Sequence, residues 1–197
     1  RSIAIGAQAG QTGQGIDAIA IGSTGGAIAQ GANAVALGAS AGQNLQSVEA
    51  IAIGFQSGRF EQGGNAIAIG SNAGQTGQLS SAIAIGLDSG SNTQGAFCVA
   101  IGEGSGNNNQ KNFSVAIGYV SGQSIQGTKS IAIGPVAAQI AQGDSSIAIG
   151  DTTAQFNQQT NSIAIGTFSG RTGQQTSAIA IGLNSGAVTQ GAFGIAI

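Results

Sequence analysis

A sixteen-residue repeat runs through the whole chain and constrains its fold more than any other feature. Twelve copies follow one another without an insertion, and five residues of a thirteenth come after them. We number the positions 1 to 16 from Arg1 and call the residues at one position in successive copies a column. Because the period never drifts, each copy is expected to stack on the next in the same register.

Each copy is too short for a helical hairpin, which needs about 33 residues. Column 3 is always Ile or Val, column 4 Ala, and column 5 Ile or Leu. Large and small residues thus alternate with the period of a strand, and Ile and Val favour strands. The sequence predicts an all-β fold, a β-solenoid or parallel β-roll whose sixteen-residue coils each have two short strands and two turns. We treat residues 1–197 as a single repeat domain of twelve coils plus the first strand of a thirteenth, and we expect it to be part of a longer rod or fibre.

In the first strand, the residues of columns 3 and 5 point one way and the alanine of column 4 points the other. Burying an isoleucine contributes about 1.5–3 kcal/mol, so we expect the isoleucines to fill the lumen of the coil. These predicted core residues include Ile3, Ile5, Ile19, Ile21, Ile67, Ile69, Ile131 and Ile133.

The alanine column is equally constrained, whereas column 7 holds residues as different as Phe55, Glu103 and Pro135. A position facing water would vary in the same way, so the alanines are expected to pack against another copy of the chain. The predicted interface of this homo-oligomer comprises Ala4, Ala20, Ala36, Ala52, Ala68, Ala84, Ala100, Ala116, Ala132, Ala148, Ala164 and Ala180. The opposite assignment, with alanine in the lumen and isoleucine at the interface, stays open.

Column 14 is glutamine in every coil. Stacked amides can donate and accept along the solenoid axis, which predicts a glutamine ladder; the alternative is an exposed turn residue. The ladder would contain Gln14, Gln30, Gln46, Gln62, Gln78, Gln94, Gln110, Gln126, Gln142, Gln158, Gln174 and Gln190.

Column 6 is glycine in every coil and follows the first strand directly. A glycine there indicates a backbone conformation that a side chain would disfavour. The predicted turn glycines are Gly6, Gly22, Gly38, Gly54, Gly70, Gly86, Gly102, Gly118, Gly134, Gly150, Gly166 and Gly182.

The composition argues against catalysis and metal binding. The chain has no histidine, and its seven carboxylates are scattered over five columns and six coils, so no triad, paired acid or calcium ladder is indicated. A net charge of −2 and five scattered basic residues argue against a nucleic-acid partner, and no apolar run is long enough to enter a membrane. We therefore expect no enzyme activity, no cofactor, no nucleic acid and no membrane insertion.

The strand motif is similar to the head repeat of the YadA-like trimeric autotransporter adhesins. The segments NSIAIG at 161–166 and NAIAIG at 65–70 carry the resemblance, and the family's later serine matches Ser57, Ser89, Ser105, Ser121, Ser169 and Ser185. The resemblance implies a left-handed parallel β-roll, a side-by-side homotrimer and a surface-exposed adhesive role. The sixteen-residue unit is longer than that family's usual repeat, and the glutamine of column 14 is not part of its signature.

We accordingly expect a non-enzymatic extracellular rod, a repeat region of a trimeric adhesin or fibre at a cell or virion surface. Its partners would be copies of itself and a host or surface ligand. One alternative is a structural filament that stacks head to tail, including a viral or phage fibre. A more distant alternative is an ice-binding solenoid, although Thr12, Thr76, Thr128 and Thr189 do not align in one flat array.

Overall fold

The computed structural model describes every residue from Arg1 to Ile197. The chain is all-β, and its short parallel strands recur every sixteen residues, so the predicted β-solenoid is confirmed. The chain divides into two compact units, Arg1–Phe97 and Cys98–Ile197, which are described separately. Neither contains a helix long and apolar enough to cross a membrane.

The first unit contains ten strands in two parallel sheets. Its first sheet has the order β1-β2-β3-β5-β7-β9, and its second sheet contains β4, β6, β8 and β10. The strands are β1 (Ile3–Ile5), β2 (Ile19–Ile21), β3 (Val35–Leu37), β4 (Asn44–Gln46), β5 (Ile51–Ile53), β6 (Phe60–Gln62), β7 (Ile67–Ile69), β8 (Thr76–Gln78), β9 (Ile83–Ile85) and β10 (Asn92–Gln94).

The second unit repeats this arrangement. Its first sheet has the order β11-β13-β15-β17-β19-β20-β21, and its second sheet contains β12, β14, β16 and β18. The strands are β11 (Val99–Ile101), β12 (Asn108–Gln110), β13 (Val115–Ile117), β14 (Ser124–Gln126), β15 (Ile131–Ile133), β16 (Ile140–Gln142), β17 (Ile147–Ile149), β18 (Phe156–Gln158), β19 (Ile163–Ile165), β20 (Ile179–Ile181) and β21 (Ile195–Ala196).

Identical columns pair with one another in both sheets. In the first sheet Ala68 lies beside Ala84, and in the second sheet Gln78 lies beside Gln94. The middle residue of each second strand is not paired, because it adopts a left-handed conformation, with φ of 57° at Leu45 and 58° at Ile125. The third to tenth coils therefore each hold a regular strand on one wall and a kinked one on the other, whereas the first two and last two coils form isolated bridges in place of the second strand.

The glycine of column 6 is required for two reasons. Its φ lies between 117° and 133° in every coil, a region that residues with a side chain rarely adopt. A Cβ built on Gly70 would also lie 2.6 Å from the carbonyl oxygen of Gly86 in the next coil. Conformation and stacking therefore both exclude any other residue, which accounts for the unbroken glycine column.

We expect Gly70→Ala to destabilise the first unit by about 3 kcal/mol or more, since a disallowed φ and a backbone clash add to each other. Gly64→Ala is the matched control in the same unit. A Cβ on Gly64 would approach no atom closer than 3.6 Å. The control should therefore be neutral or stabilise by about 0.4–1 kcal/mol. Urea unfolding followed by circular dichroism measures both changes, and equal losses would contradict this account.

The interior is lined by alanine, and the expected isoleucine core is wrong. The eleven alanines of column 4 from Ala20 to Ala180 are fully buried within the single chain. The isoleucines of columns 3 and 5 point outward, and Ile3 and Ile5 are 49% and 58% exposed. All eight predicted core residues are partly or largely exposed, namely Ile3, Ile5, Ile19, Ile21, Ile67, Ile69, Ile131 and Ile133.

The physical reason for this reversal is that the lumen is narrow and already full. The largest fully buried side chains are glutamines of column 14, which cross the lumen from the second wall to the first. A Cβ added to Gly90 would lie 2.9 Å from the Gln94 side chain and 3.3 Å from Ala84 Cβ. Only methyl-sized groups fit opposite the glutamine, so the large apolar side chains must lie outside.

Candidate functional site

The glutamines of column 14 form a hydrogen-bonded row inside the coil. Gln78 is fully buried, and its Nε2 donates to the carbonyl of Ile67 at 2.8 Å and to that of Ala82 at 3.2 Å. The same Nε2 lies 3.0 Å from Oε1 of Gln94, and Gln62 donates in turn to Gln78 at 3.1 Å. The amide thus ties the two walls of its own coil together and contacts both neighbouring coils.

The hydrogen bonds between glutamines of this inner row all run in the same direction along the solenoid axis. Gln46 donates to Gln62 at 3.1 Å, and Gln158 donates to Gln174 at 3.2 Å, each toward the following coil. The row is interrupted where a buried Oε1 has no partner, at Gln30, Gln126 and Gln142. The Nε2 of each of these three glutamines still donates to a carbonyl of the first strand, so the bridge between the walls remains.

The other buried polar side chains also form hydrogen bonds with backbone carbonyls. Columns 2 and 9 hold small residues, and where these are serine the hydroxyl donates to a nearby carbonyl, as Ser130 does to Gly127 at 2.6 Å and Ser57 to Gly54 at 3.1 Å. The lone cysteine, Cys98, is buried, and its thiol lies 2.9 Å from the carbonyl of Lys111. No group of three or more Cys, Asp or Glu side chains is close enough to hold a metal ion.

The alanine column is not available as an interface, and this expectation is also wrong. Ala68 and Ala84 pack with Ala73 inside the coil and have no exposed surface in the isolated chain. A second chain could not reach them without opening the solenoid. The same holds for the predicted interface residues from Ala20 to Ala180, whereas Ala4 is exposed in the first coil. Of the two assignments left open by the alternation, the structure has alanine in the lumen and isoleucine outside.

The outward side chains of columns 3 and 5 form a surface that we call the Ile face. It contains only Ile, Val and Leu and carries no charge or polar side chain along either column. In the first unit the Ile face consists of Ile3, Ile5, Ile19, Ile21, Val35, Leu37, Ile51, Ile53, Ile67, Ile69, Ile83 and Ile85. In the second unit it consists of Val99, Ile101, Val115, Ile117, Ile131, Ile133, Ile147, Ile149, Ile163, Ile165, Ile179, Ile181, Ile195 and Ile197.

Column 5 is the more accessible of the two columns: Ile21 is 38% exposed in the first unit, and Ile101 and Ile181 are 37% and 40% exposed in the second. The members of column 3 from Ile19 to Ile179 are half-buried. Adjacent strands are about 4.8 Å apart and the two columns lie about 7 Å apart, so each strand adds a patch of about 34 Å² to this apolar surface. With six such strands in the first unit and seven in the second, the two parts of the Ile face cover about 200 Å² and about 240 Å².

The Ile face is also the part of the outer surface that does not vary between coils. Columns 7, 12 and 13 also have exposed members, and each of them mixes apolar and polar residues. Columns 7 and 13 include charged residues as well, as Leu45, Glu61 and Thr93 show for column 13. Solvent alone would not keep two outward columns uniformly apolar. We therefore identify the Ile face as the candidate functional surface.

A second amide row, which we did not expect, lies on the opposite wall in column 11. Gln139 donates to Gln123 at 3.3 Å, and Gln155 donates to Gln139 at 3.1 Å, each toward the preceding coil. In the first unit Arg59 Nε donates to Gln43 Oε1 at 2.8 Å in the same sense. The signal in the sequence was the recurrence of glutamine in column 11, in six of the twelve coils.

Two arginines of column 11 stack on aromatic rings. Arg59 Cζ lies 4.5 Å from the ring centroid of Phe60, and Arg171 Cζ lies 5.8 Å from that of Phe168. Neither guanidinium is paired with a carboxylate; the ion pair at Arg1 joins its amino terminus to Asp17 at 3.4 Å. The rings hold the guanidinium groups in place while leaving their N–H groups accessible.

Comparison of the chain with models of protein families, with curated proteins and with solved structures finds no match in any of the three.

Proposed function

We propose that the chain is a non-enzymatic structural and adhesive rod that associates side by side with copies of itself through the Ile face. The observation that carries this proposal is the uniform apolar composition of two outward columns on an otherwise variable surface. A second copy presents the same columns at the same spacing, so the two surfaces match strand for strand within each unit. Burying this apolar surface at about 25 cal/mol per Å² favours association, before the entropy of binding is subtracted.

We further propose that the assembly is a homotrimer within an extracellular fibre or adhesin. The resemblance of the strand motif to the head repeats of trimeric adhesins supports this number of chains and this location. In a trimer the Ile faces would meet at a shared axis, and the variable columns would face outward, where a ligand could bind. The fully buried polar groups of the interior are amides and hydroxyls that bond to the backbone, which suits a scaffold.

The solution mass of the chain tests this proposal. Multi-angle light scattering should give three times the chain mass of 18.9 kDa, unchanged on dilution into the low micromolar range. A single chain at every concentration would overturn the proposal. A mass that rises with concentration without a plateau, together with fibres in electron micrographs, would instead favour the filament alternative.

A four-residue variant in β7 and β9 tests which surface associates. Replacing these outward isoleucines by serine should convert the assembly to single chains while the β-sheet circular dichroism remains. The substitutions are Ile67→Ser, Ile69→Ser, Ile83→Ser and Ile85→Ser. The matched control replaces four exposed apolar residues outside the Ile face, namely Leu45→Ser, Leu79→Ser, Ile125→Ser and Ile140→Ser. Dissociation of the control, or persistence of the trimer in the test variant, would exclude the Ile face as the interface.

A further inference from the structure

The column-11 surface differs from the Ile face in chemistry and lies on the opposite wall of the coil. It combines amide groups, two guanidinium groups and the aromatic rings next to them. We infer that this surface, which we call the Arg–Gln strip, binds an acidic polysaccharide whose carboxylates are spaced along a hydroxyl-rich chain. The strip consists of Gln43, Arg59, Phe60 and Gln75 in the first unit and of Gln123, Gln139, Gln155, Phe168 and Arg171 in the second.

The arginines provide the anion-binding element. Arg59 is fixed on one side by the ring of Phe60 and at Nε by Gln43, and its two terminal nitrogens have no partner in the chain. Arg171 lies over Phe168, is exposed, and donates no hydrogen bond from its side chain. A guanidinium that is already oriented loses less entropy on binding, and its planar fork matches a carboxylate.

The neighbouring amides determine which kind of anion fits. Gln75, the column-11 residue of the coil after Arg59, donates from Nε2 to Gln56 Oε1 at 2.8 Å and to Asn72 Oδ1 at 3.1 Å, so amide side chains of both coils lie beside the strip. Amides donate to and accept from hydroxyl groups, and an aromatic ring offers an apolar face to a sugar ring. A sparsely charged, hydroxyl-rich polymer uses all of these groups.

The sparse positive charge argues against nucleic acid. The chain has five basic residues and a net charge of −2, whereas duplex DNA presents a phosphate about every 1.7 Å along its axis. Glu61, two residues beyond Arg59, also places a carboxylate on the strand of Phe60. The strip has one guanidinium in each unit, which matches a polymer whose charges are widely spaced.

The repeat itself supplies a conservative test variant. Arg59→Gln combined with Arg171→Gln installs the residue that column 11 carries in six other coils, so the fold should be retained. We expect this pair to weaken binding to immobilised hyaluronate, which has one carboxylate in every two sugars, by at least about tenfold, since each charge-assisted contact contributes more than a neutral one. Surface plasmon resonance at low and high salt measures the change, with circular dichroism as the check of folding.

The matched control removes two positive charges elsewhere. Lys111→Gln and Lys129→Ser also use residues that occur in the same columns of other coils, as Gln159 and Ser145 show. Binding of this control should stay within about twofold of the unmodified chain, because its lysines lie outside the strip. Glu61→Gln should strengthen binding, because it removes the carboxylate on the strand of Phe60.

Three results would overturn the inference: equal binding to neutral dextran, an equal loss in the lysine control, or tighter binding to a 20-base-pair DNA duplex. The inference does not depend on the number of chains, and light scattering of the same samples keeps the two questions apart. A single chain that still binds hyaluronate through the arginines would contradict the proposed assembly and support the strip. A trimer that does not bind hyaluronate would support the assembly and contradict the strip.

Discussion

Replacing Gln78 with glutamate should destabilise the first unit by at least about 3 kcal/mol at pH 7, because it leaves an unpaired charge in a dry interior. The buried Nε2 now donates to two backbone carbonyls and contacts the oxygen of Gln94. A carboxylate of the same shape cannot donate a hydrogen bond, so its oxygen would face an acceptor oxygen at all three positions. Urea unfolding at pH 7 measures the loss.

The same variant should be sensitive to pH, in a direction that follows from burial. Desolvation and the facing carbonyls raise the pKa of the introduced carboxyl in the folded state above its value in the unfolded chain. A raised folded pKa means that the stability is retained below the unfolded pKa and lost as the pH rises through the folded pKa. Gln78→Glu should therefore recover part of its stability at pH 4.

Gln43→Glu is the control for this charge. The Gln43 side chain lies outside the coil, and its Oε1 accepts a hydrogen bond from Arg59 at 2.8 Å. A carboxylate there can still accept this bond and gains an ion pair, so stability should be unchanged or higher by up to about 1 kcal/mol. If both variants lost the same stability, the inner position of column 14 would be refuted.

Replacing Ala84 with isoleucine should prevent the first unit from folding or cost at least about 3 kcal/mol, because the lumen has no space for the added atoms. Ala84 is fully buried and faces Gly90 and the Gln94 side chain. The neighbouring Ile83→Ala, which removes bulk instead of adding it, should cost the single chain only about 1 kcal/mol, since Ile83 is half-buried.

These two substitutions distinguish the inward column from the outward one. If isoleucine filled the lumen, Ile83→Ala would leave a cavity and cost about 2–5 kcal/mol, and Ala84→Ile would be tolerated at the surface. Thermal unfolding of both variants at concentrations where the chain is not associated gives the comparison. The reverse order of stabilities would contradict the structure.

The period of sixteen, the strand of columns 3–5 and the glycine turn could be predicted because each leaves an unvarying column in the sequence. Column 14 was informative for the same reason: Gln78 forms hydrogen bonds with the glutamines of the preceding and the following coil, which requires the same residue in each. Repetition within one chain thus separates residues that contact their own copies from residues that face water.

Which face of the first strand points into the lumen could not be predicted in this way. Alternation places Ile67 and Ala68 on opposite faces, but both faces are uniform, so the pattern does not say which is inside. Hydrophobicity suggested isoleucine, and the deciding fact was the volume of Gln78 within the same coil. The left-handed residues of column 13, such as Leu45 and Glu61, left no signal because their side chains vary freely.

The opposed directions of the two amide rows have an electrostatic consequence. In the inner row Gln158 donates toward the following coil, whereas in the outer row Gln155 donates toward the preceding one. Each row alone would sum its amide dipoles along the axis, as a helix does, and its field would grow with every added coil. Running antiparallel across one wall, the two rows offset each other where both are present. A coil that carries both rows therefore adds less to the axial dipole than a coil that carries the inner row alone.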